Sequence, residues 1–315
     1  MNRRPYRSFR LTRRRDYVRG FKIEGYWSFT NRVRRVIWQQ KWLFGKFVAI
    51  YSIFSVLILG ITSQKNYRLL SDTLHDIGGG VFGVQLGDFT TSLAIFSGVI
   101  SGAISGQLSE SQQIYAGLLF LLGWLTIVWL LRQLLAGHRR LKLRDGVYAS
   151  GAPIVPTFLL FMVVLVQLLP LIVALVAYAT VQSLNILGAT FFSLLFWLVE
   201  LLLSVVSLYW LSSTVMALVI VTLPGMYPLK ALRAAGDLVR GRRLRILYRL
   251  AWLFLILLGA WLAVLLPIIL IAEIAALKQL PLVPISVLLL SSTSLVYAAS
   301  YIYLLYRKLV DDASA

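Results

Sequence analysis

Cysteine is absent from the 315-residue chain, and acids and histidines are scarce, at 12 and two. The first absence excludes disulfides, thiolate metal sites and a cysteine nucleophile. The second leaves little material for acid–base catalysis, which needs ionisable groups held together. No glycine loop ends in Gly-Lys-Ser/Thr, and no His-Glu-x-x-His motif occurs. Neither a phosphate-cradling loop nor a zinc-protease helix is therefore written in the chain. No catalytic residue, metal or cofactor is expected.

What is abundant is oil. The chain is 59% hydrophobic and 14% charged, with a mean hydropathy of +0.81. Soluble domains run near 45–50% apolar and about 25% charged. Uncharged windows of about 20 residues mark transmembrane helices. Six stretches qualify: Trp42–Thr62, Ile114–Leu135, Val155–Tyr178, Ala189–Val221, Leu247–Ala272 and Val283–Tyr306. The expected fold is an all-α, polytopic transmembrane helical bundle of six spans with amphipathic interfacial helices. A basic N-terminal tail (1–41) precedes the six-helix domain (42–306), and a short tail (307–315) follows it. The N-terminus shows no short apolar core with a small-residue cleavage site, so no removable signal peptide is expected.

The charge of +19 is placed unevenly. If the N-terminus is cytoplasmic and each segment crosses once, 28 of the 31 lysines and arginines fall on the cytoplasmic side. Only Lys65, Arg68 and Lys278 fall outside. The positive-inside rule then predicts that both termini are cytoplasmic. An extra crossing by residues 89–108 would reverse every later basic cluster. That uncharged stretch, inside an extracytoplasmic segment at 63–113, is therefore read as packed on the bundle or re-entrant. Gly98, Gly102 and Gly106 recur every four residues there and make a smooth helix-packing face.

The fourth stretch is too long to cross simply. Its roughly 33 residues at ~1.5 Å each reach about 50 Å, against a hydrocarbon core near 30 Å. A tilt, a projection, or a bend at Ser212-Ser213-Thr214 is expected. Glu200, deep in this stretch, is the acid with the best claim to a membrane interior, with Gln167 or Thr126 as possible neighbours. An intramembrane carboxyl suggests a mid-membrane transport site, or a protonated or hydrogen-bonded structural group. Asp72, His75 and Asp76 share a helical face outside the membrane and read as solvated rather than metal-binding.

Between the fourth and fifth spans lies "PLKALRAAGDLVRGRRLRILYRL". Pro228 suits a first helical turn. Leu229, Leu232, Ala235, Gly236 and Val239 form an apolar stripe, and Lys230, Arg233, Asp237 and Arg240 the opposite face. Asp237 is spaced to meet Arg233 and Arg240. A cytoplasmic elbow helix within 226–246 is thus expected in the headgroup layer. Arg233, Arg240, Arg242, Arg243 and Arg245 are its candidate headgroup-binding residues. Arg249 joins the following cluster that fixes where the next span starts.

"PLKALRAAGDLVRGRRLRIL", followed at once by an apolar span, resembles the membrane domain of the glycerophosphoryl diester phosphodiesterase membrane-domain family. The tyrosine-rich "SLVYAASYIYLLYRKLVDD" (294–312) is similar to that family's closing helix. The similarity runs from about residue 140 to 312. The chain departs from the pattern at Ala234-Ala235 and at Leu305-Tyr306-Arg307. The resemblance implies a membrane module without the catalytic domain, not phosphodiesterase activity.

The N-terminal tail interleaves arginines with aromatics, and residues 26–41 read as an interfacial helix with Trp27 and Trp38 at headgroup level. The expected partners are membrane lipids, anionic ones especially, and other membrane proteins, with no nucleic acid. The expected role is a non-enzymatic, lipid-interacting protein that organises or assists envelope components. A transporter of a lipid or amphipathic small molecule around Glu200 is the alternative.

Overall fold

The computed structural model describes residues 24–59, 110–138, 141–184, 191–274 and 282–314. Its helices in chain order are α1 (Tyr26–Gln39), α2 (Lys41–Leu59), α3 (Glu110–Leu135), α4 (Leu143–Ser150) and α5 (Ile154–Leu184), followed by α6 (Phe191–Ile220), α7 (Pro228–Val239), α8 (Arg243–Ile274) and α9 (Leu282–Ser314). No strand occurs among the described residues. Six helices, α2, α3, α5, α6, α8 and α9, are long and apolar enough to cross a membrane. The chain is a multi-pass membrane protein. Helices satisfy every interior backbone group within the segment, which hydrocarbon demands. Pro170 and Pro267 lie inside α5 and α8, and both helices continue through them.

Helix α9 is the hub, touching α1, α2, α3, α6, α7 and α8, while α5 packs chiefly on α6. Cross-links gather one end of the bundle. Arg132, late in α3, donates to the Thr222 carbonyl at 2.9 Å and to its hydroxyl, just past α6. Phe29 of α1 meets Tyr301, late in α9, edge-on at 4.9 Å. Arg249, early in α8, donates to the Glu24 carbonyl just before α1. This basic end also holds most of the buried side chains, including Phe44, Leu131, Leu160, Met216, Ile246 and Leu305. Away from it the helices expose their apolar sides, and only 6% of the α6 window is buried.

Small and hydroxyl residues let spans approach, as in membrane bundles generally. Ser52 of α2 and Ser292 of α9 share a hydrogen bond at 2.8 Å, and the Trp261 indole of α8 donates to Ser294 at 2.8 Å. Gly146 of α4 seats against α3, where an added Cβ would lie 3.3 Å from Thr126 and Trp129.

Several expectations change in detail. Helix α6 runs unbroken through Ser212-Ser213-Thr214, whose hydroxyls bond back to the Tyr209 and Trp210 carbonyls. The residues from Arg307 to Ser314 are helical and continue α9. A short helix, α4, lies between the second and third spans. Helix α7 begins at Pro228 as expected, but its buried face is Ala231, Ala235 and Val239, while Leu229 is exposed. The alanines win because their small side chains let α7 lie close against α6. Gly98, Gly102, Gly106, the stretch 89–108 and Asp72, His75 and Asp76 lie outside the described residues.

Candidate functional site

The five arginines singled out on the elbow converge. Helix α7 ends at Val239, and the Arg242 amide donates back to the Val239 carbonyl at 2.9 Å. Gly241 makes this tight turn with φ +77°, a left-handed conformation that strains any residue with a Cβ. Helix α8 then starts at Arg243. The turn folds the two helices around a cleft of about 1060 Å³, which Arg233, Arg240, Arg242, Arg243 and Arg245 all line. Gly236, Asp237, Gly241, Leu244 and Tyr209 complete it.

Each side chain has a distinct setting. The Arg243 guanidinium lies 4.2 Å from the centroid of the Tyr209 ring, a cation–π distance that orients it on the wall. Arg242 is 5% exposed, whereas Arg233, Arg240 and Arg245 are open to the surroundings. Nothing lies within 4 Å of a Cβ placed on Gly236 or Gly241, so the backbone is accessible there. The first turn of α8, the positive end of its dipole, contributes Arg243, Leu244 and Arg245 to the same wall. Five cations face one carboxylate. Asp237 forms no ion pair with Arg233 or Arg240, contrary to the spacing argument, and none with any described residue. The helical spacing permits that pair, but both arginines contribute to the cleft wall.

Tyr209 was not foreseen. It sits on α6, far from the elbow in sequence, and only tertiary packing brings it under Arg243. Arg249 is the opposite case, since it neighbours the cluster in sequence but does not line the cleft. Its guanidinium lies over the Tyr26 and Phe29 rings, 5.2 and 5.1 Å from their centroids. Trp252 closes the same corner, stacking edge-on with Trp27 at 5.3 Å and donating to Thr30 at 3.2 Å. Helix α1 is therefore docked on the bundle by its Phe29–Thr30–Val33 face and leaves Trp27 and Trp38 exposed.

The intramembrane polar residues separate. Gln167 of α5 accepts from Thr214 at 2.6 Å through its side-chain oxygen, and from Ser207 at 2.6 Å through its carbonyl. Thr126 instead bonds the Leu122 carbonyl and Ser150. Glu200 thus bonds neither neighbour expected for it. It shares the seven-residue spacing of Ser207 and Thr214, but stands about 10 Å further along the helix at ~1.5 Å per residue. It is partly exposed and lines neither the arginine cleft nor a shallower hollow of about 460 Å³ at Met162, Val163, Val166, Gln167 and Trp210. Gln167→Leu is expected to lower stability by about 1 kcal/mol, the ordinary worth of an interhelical hydrogen bond in a membrane. Glu200→Gln should change it by less than half as much. Equal losses in reversible unfolding of the two variants would contradict this division.

Among the described residues, no three of His, Asp and Glu lie close enough to hold a metal ion. No family model, curated protein or solved structure matches the chain.

Proposed function

We propose that the protein binds anionic lipid headgroups through the arginine cleft. In this reading the basic end faces the cytoplasm of a bacterial inner membrane, and the protein serves as a non-enzymatic organiser of other envelope components. The observation that carries it is the convergence of five arginines on one cleft beside a membrane-spanning helix. Basic side chains near an anionic leaflet contribute about 1 kcal/mol each, and guanidinium forks match phosphate oxygens two at a time. The excess of basic residues in the cytoplasmic segments supports the orientation. The resemblance to a phosphodiesterase-associated membrane domain supports a membrane module that works without its own catalytic domain.

Native mass spectrometry of protein released from nanodiscs tests the proposal. Anionic lipid should be retained over zwitterionic lipid. The joint exchange Arg233→Gln, Arg240→Gln and Arg245→Gln should reduce that retention about tenfold or more. These three side chains are exposed, so the exchange leaves the core intact. Unchanged retention would sink the proposal. Retention lost on Glu200→Gln instead would transfer the argument to a mid-membrane transport site.

A further inference from the structure

We infer that two copies of the chain pair in the membrane through the outer face of α5, with Gln167 as the polar contact at mid-span. The inference is independent of the arginine cleft, to which α5 contributes no residue.

Two unmet polar demands lie together in α5. Gln167 lines the shallower hollow and accepts from Thr214 through its side-chain oxygen, while its amide nitrogen bonds no described residue. Pro170 makes an exception to the helical backbone pattern: it has no N–H, so the Val166 carbonyl loses its donor. Ser207 bonds the carbonyl of Gln167, not that of Val166. Val166 also lines the hollow, so a donor and an acceptor on adjacent residues flank one opening. Gln167 stands ~20 Å from the Ile154 end of α5 and ~26 Å from the Leu184 end. At that depth hydrocarbon offers neither partner.

The occupant must bring an acceptor for the amide and a donor for the carbonyl. Lipid tails carry neither, and headgroup and ester oxygens lie at the edges of the ~30 Å core. A second copy carries both. Two copies in one orientation, related by a two-fold axis along the membrane normal, hold each residue at equal depth in an isologous contact. Gln167 of each copy then donates to the partner's Val166 carbonyl.

The apolar surface fits the same arrangement. Leu159, Met162, Val166, Leu169 and Val173 stand at alternating spacings of three and four, and all are exposed. This is a coiled-coil seam. Val166 and Val173 take the position that favours β-branched residues in parallel two-stranded pairs, and Met162 and Leu169 take the other. Helix α5 carries no charged residue to oppose the approach.

The chain lacks cysteine, so single cysteines report pairing of the full-length protein in native membranes. Under oxidation Val166→Cys should give a product of twice the chain mass, and Leu57→Cys, also exposed but on α2, should give little. Energy transfer between terminally labelled copies, followed on dilution in lipid vesicles, measures the affinity. Gln167→Leu should raise the dimer dissociation constant about tenfold, as expected for interhelical hydrogen bonds lost in a membrane. Val166→Trp obstructs the seam at an exposed position and should abolish pairing while the monomer stays folded. Pro170→Ala returns an N–H to the Val166 carbonyl, so it should weaken pairing without destabilising the monomer. Energy transfer absent at every density, or equal crosslinking of the two cysteines, would overturn the inference. A crosslinked product of any other mass would also overturn it, by making a different protein the occupant. Pairing unaffected by both Gln167→Leu and Pro170→Ala would overturn the polar contact and leave apolar packing alone.

Discussion

Arg249→Ala is expected to detach α1 from the bundle. A guanidinium lying against two rings and removed from water contributes about 2 kcal/mol through cation–π attraction. Its charge-assisted bond to the Glu24 carbonyl adds about 1.5 kcal/mol or more. Removing the cation also recovers part of its desolvation, so the net loss in α1 docking should be about 2–3 kcal/mol. Amides of residues 26–39 should then exchange roughly 30- to 150-fold faster, since protection follows the free energy of local opening. Arg249→Lys should recover little, because an ammonium has neither the flat face nor the fork that this corner uses. Exchange in α1 that stays at the wild-type rate would show that Phe29 and Val33 alone hold the helix.

This docking gives α8 two tasks at its basic end. Its first turn forms one wall of the cleft through Arg243, Leu244 and Arg245, and the next two turns hold α1 through Arg249 and Trp252. Cleft and docked helix thus share one rigid element. The α1 arginines Arg32, Arg34 and Arg35 are brought to the same end of the bundle as the cleft, with Arg32 tied to Glu24 at 2.7 Å.

The spans were readable because hydrocarbon tolerates so few charges that apolar windows declare themselves. The start of α7 was readable because proline, within a helix, is best accommodated in the first turn. The cleft arginines were readable for a weaker reason, their adjacency in sequence. Adjacency misleads where a helix turns, and Arg249 shows it. Seven residues after Arg242 it occupies the same buried face of α8, but meets a different neighbour. The stripe expected from periodicity included Ala235 and Val239, which are buried, but also Leu229, which is exposed, and it left out Ala231, which is buried. Glu200 was expected beside Gln167 or Thr126, but those two side chains bond Thr214 and Ser150, because a sequence names the polar residues of a span and not the partner opposite each one. The Tyr209–Arg243 contact had no signal in the sequence at all.

Close approach of backbones is equally silent in a sequence, and Gly123 carries the largest packing consequence. Here α3 passes α2 and α9 so tightly that a Cβ would lie 2.7 Å from the Tyr51 ring and 3.1 Å from Leu295. Gly123→Leu is expected to lower stability by about 3 kcal/mol, at the upper end of overpacking penalties. Tyr51 is stacked on Phe47 at 5.7 Å, and the Ser52–Ser292 bond pins the next position of α2 to α9, so the ring has little room to retreat. Gly117, two turns earlier on the same helix, meets nothing within 4 Å. Gly117→Leu should therefore stay within about 0.5 kcal/mol of wild type, as surface changes do. Reversible unfolding in detergent compares the two directly, and similar stabilities would refute the close approach at Gly123. Combining Gly123→Ala with Tyr51→Ala should recover more than the two separate losses allow, because the added methyl and the removed ring occupy the same space. The contact joins α2, α3 and α9, none of which lines the arginine cleft. Whatever fraction of Gly123→Ala folds should therefore retain anionic lipid like the wild type, which separates the scaffold from the site it holds in place.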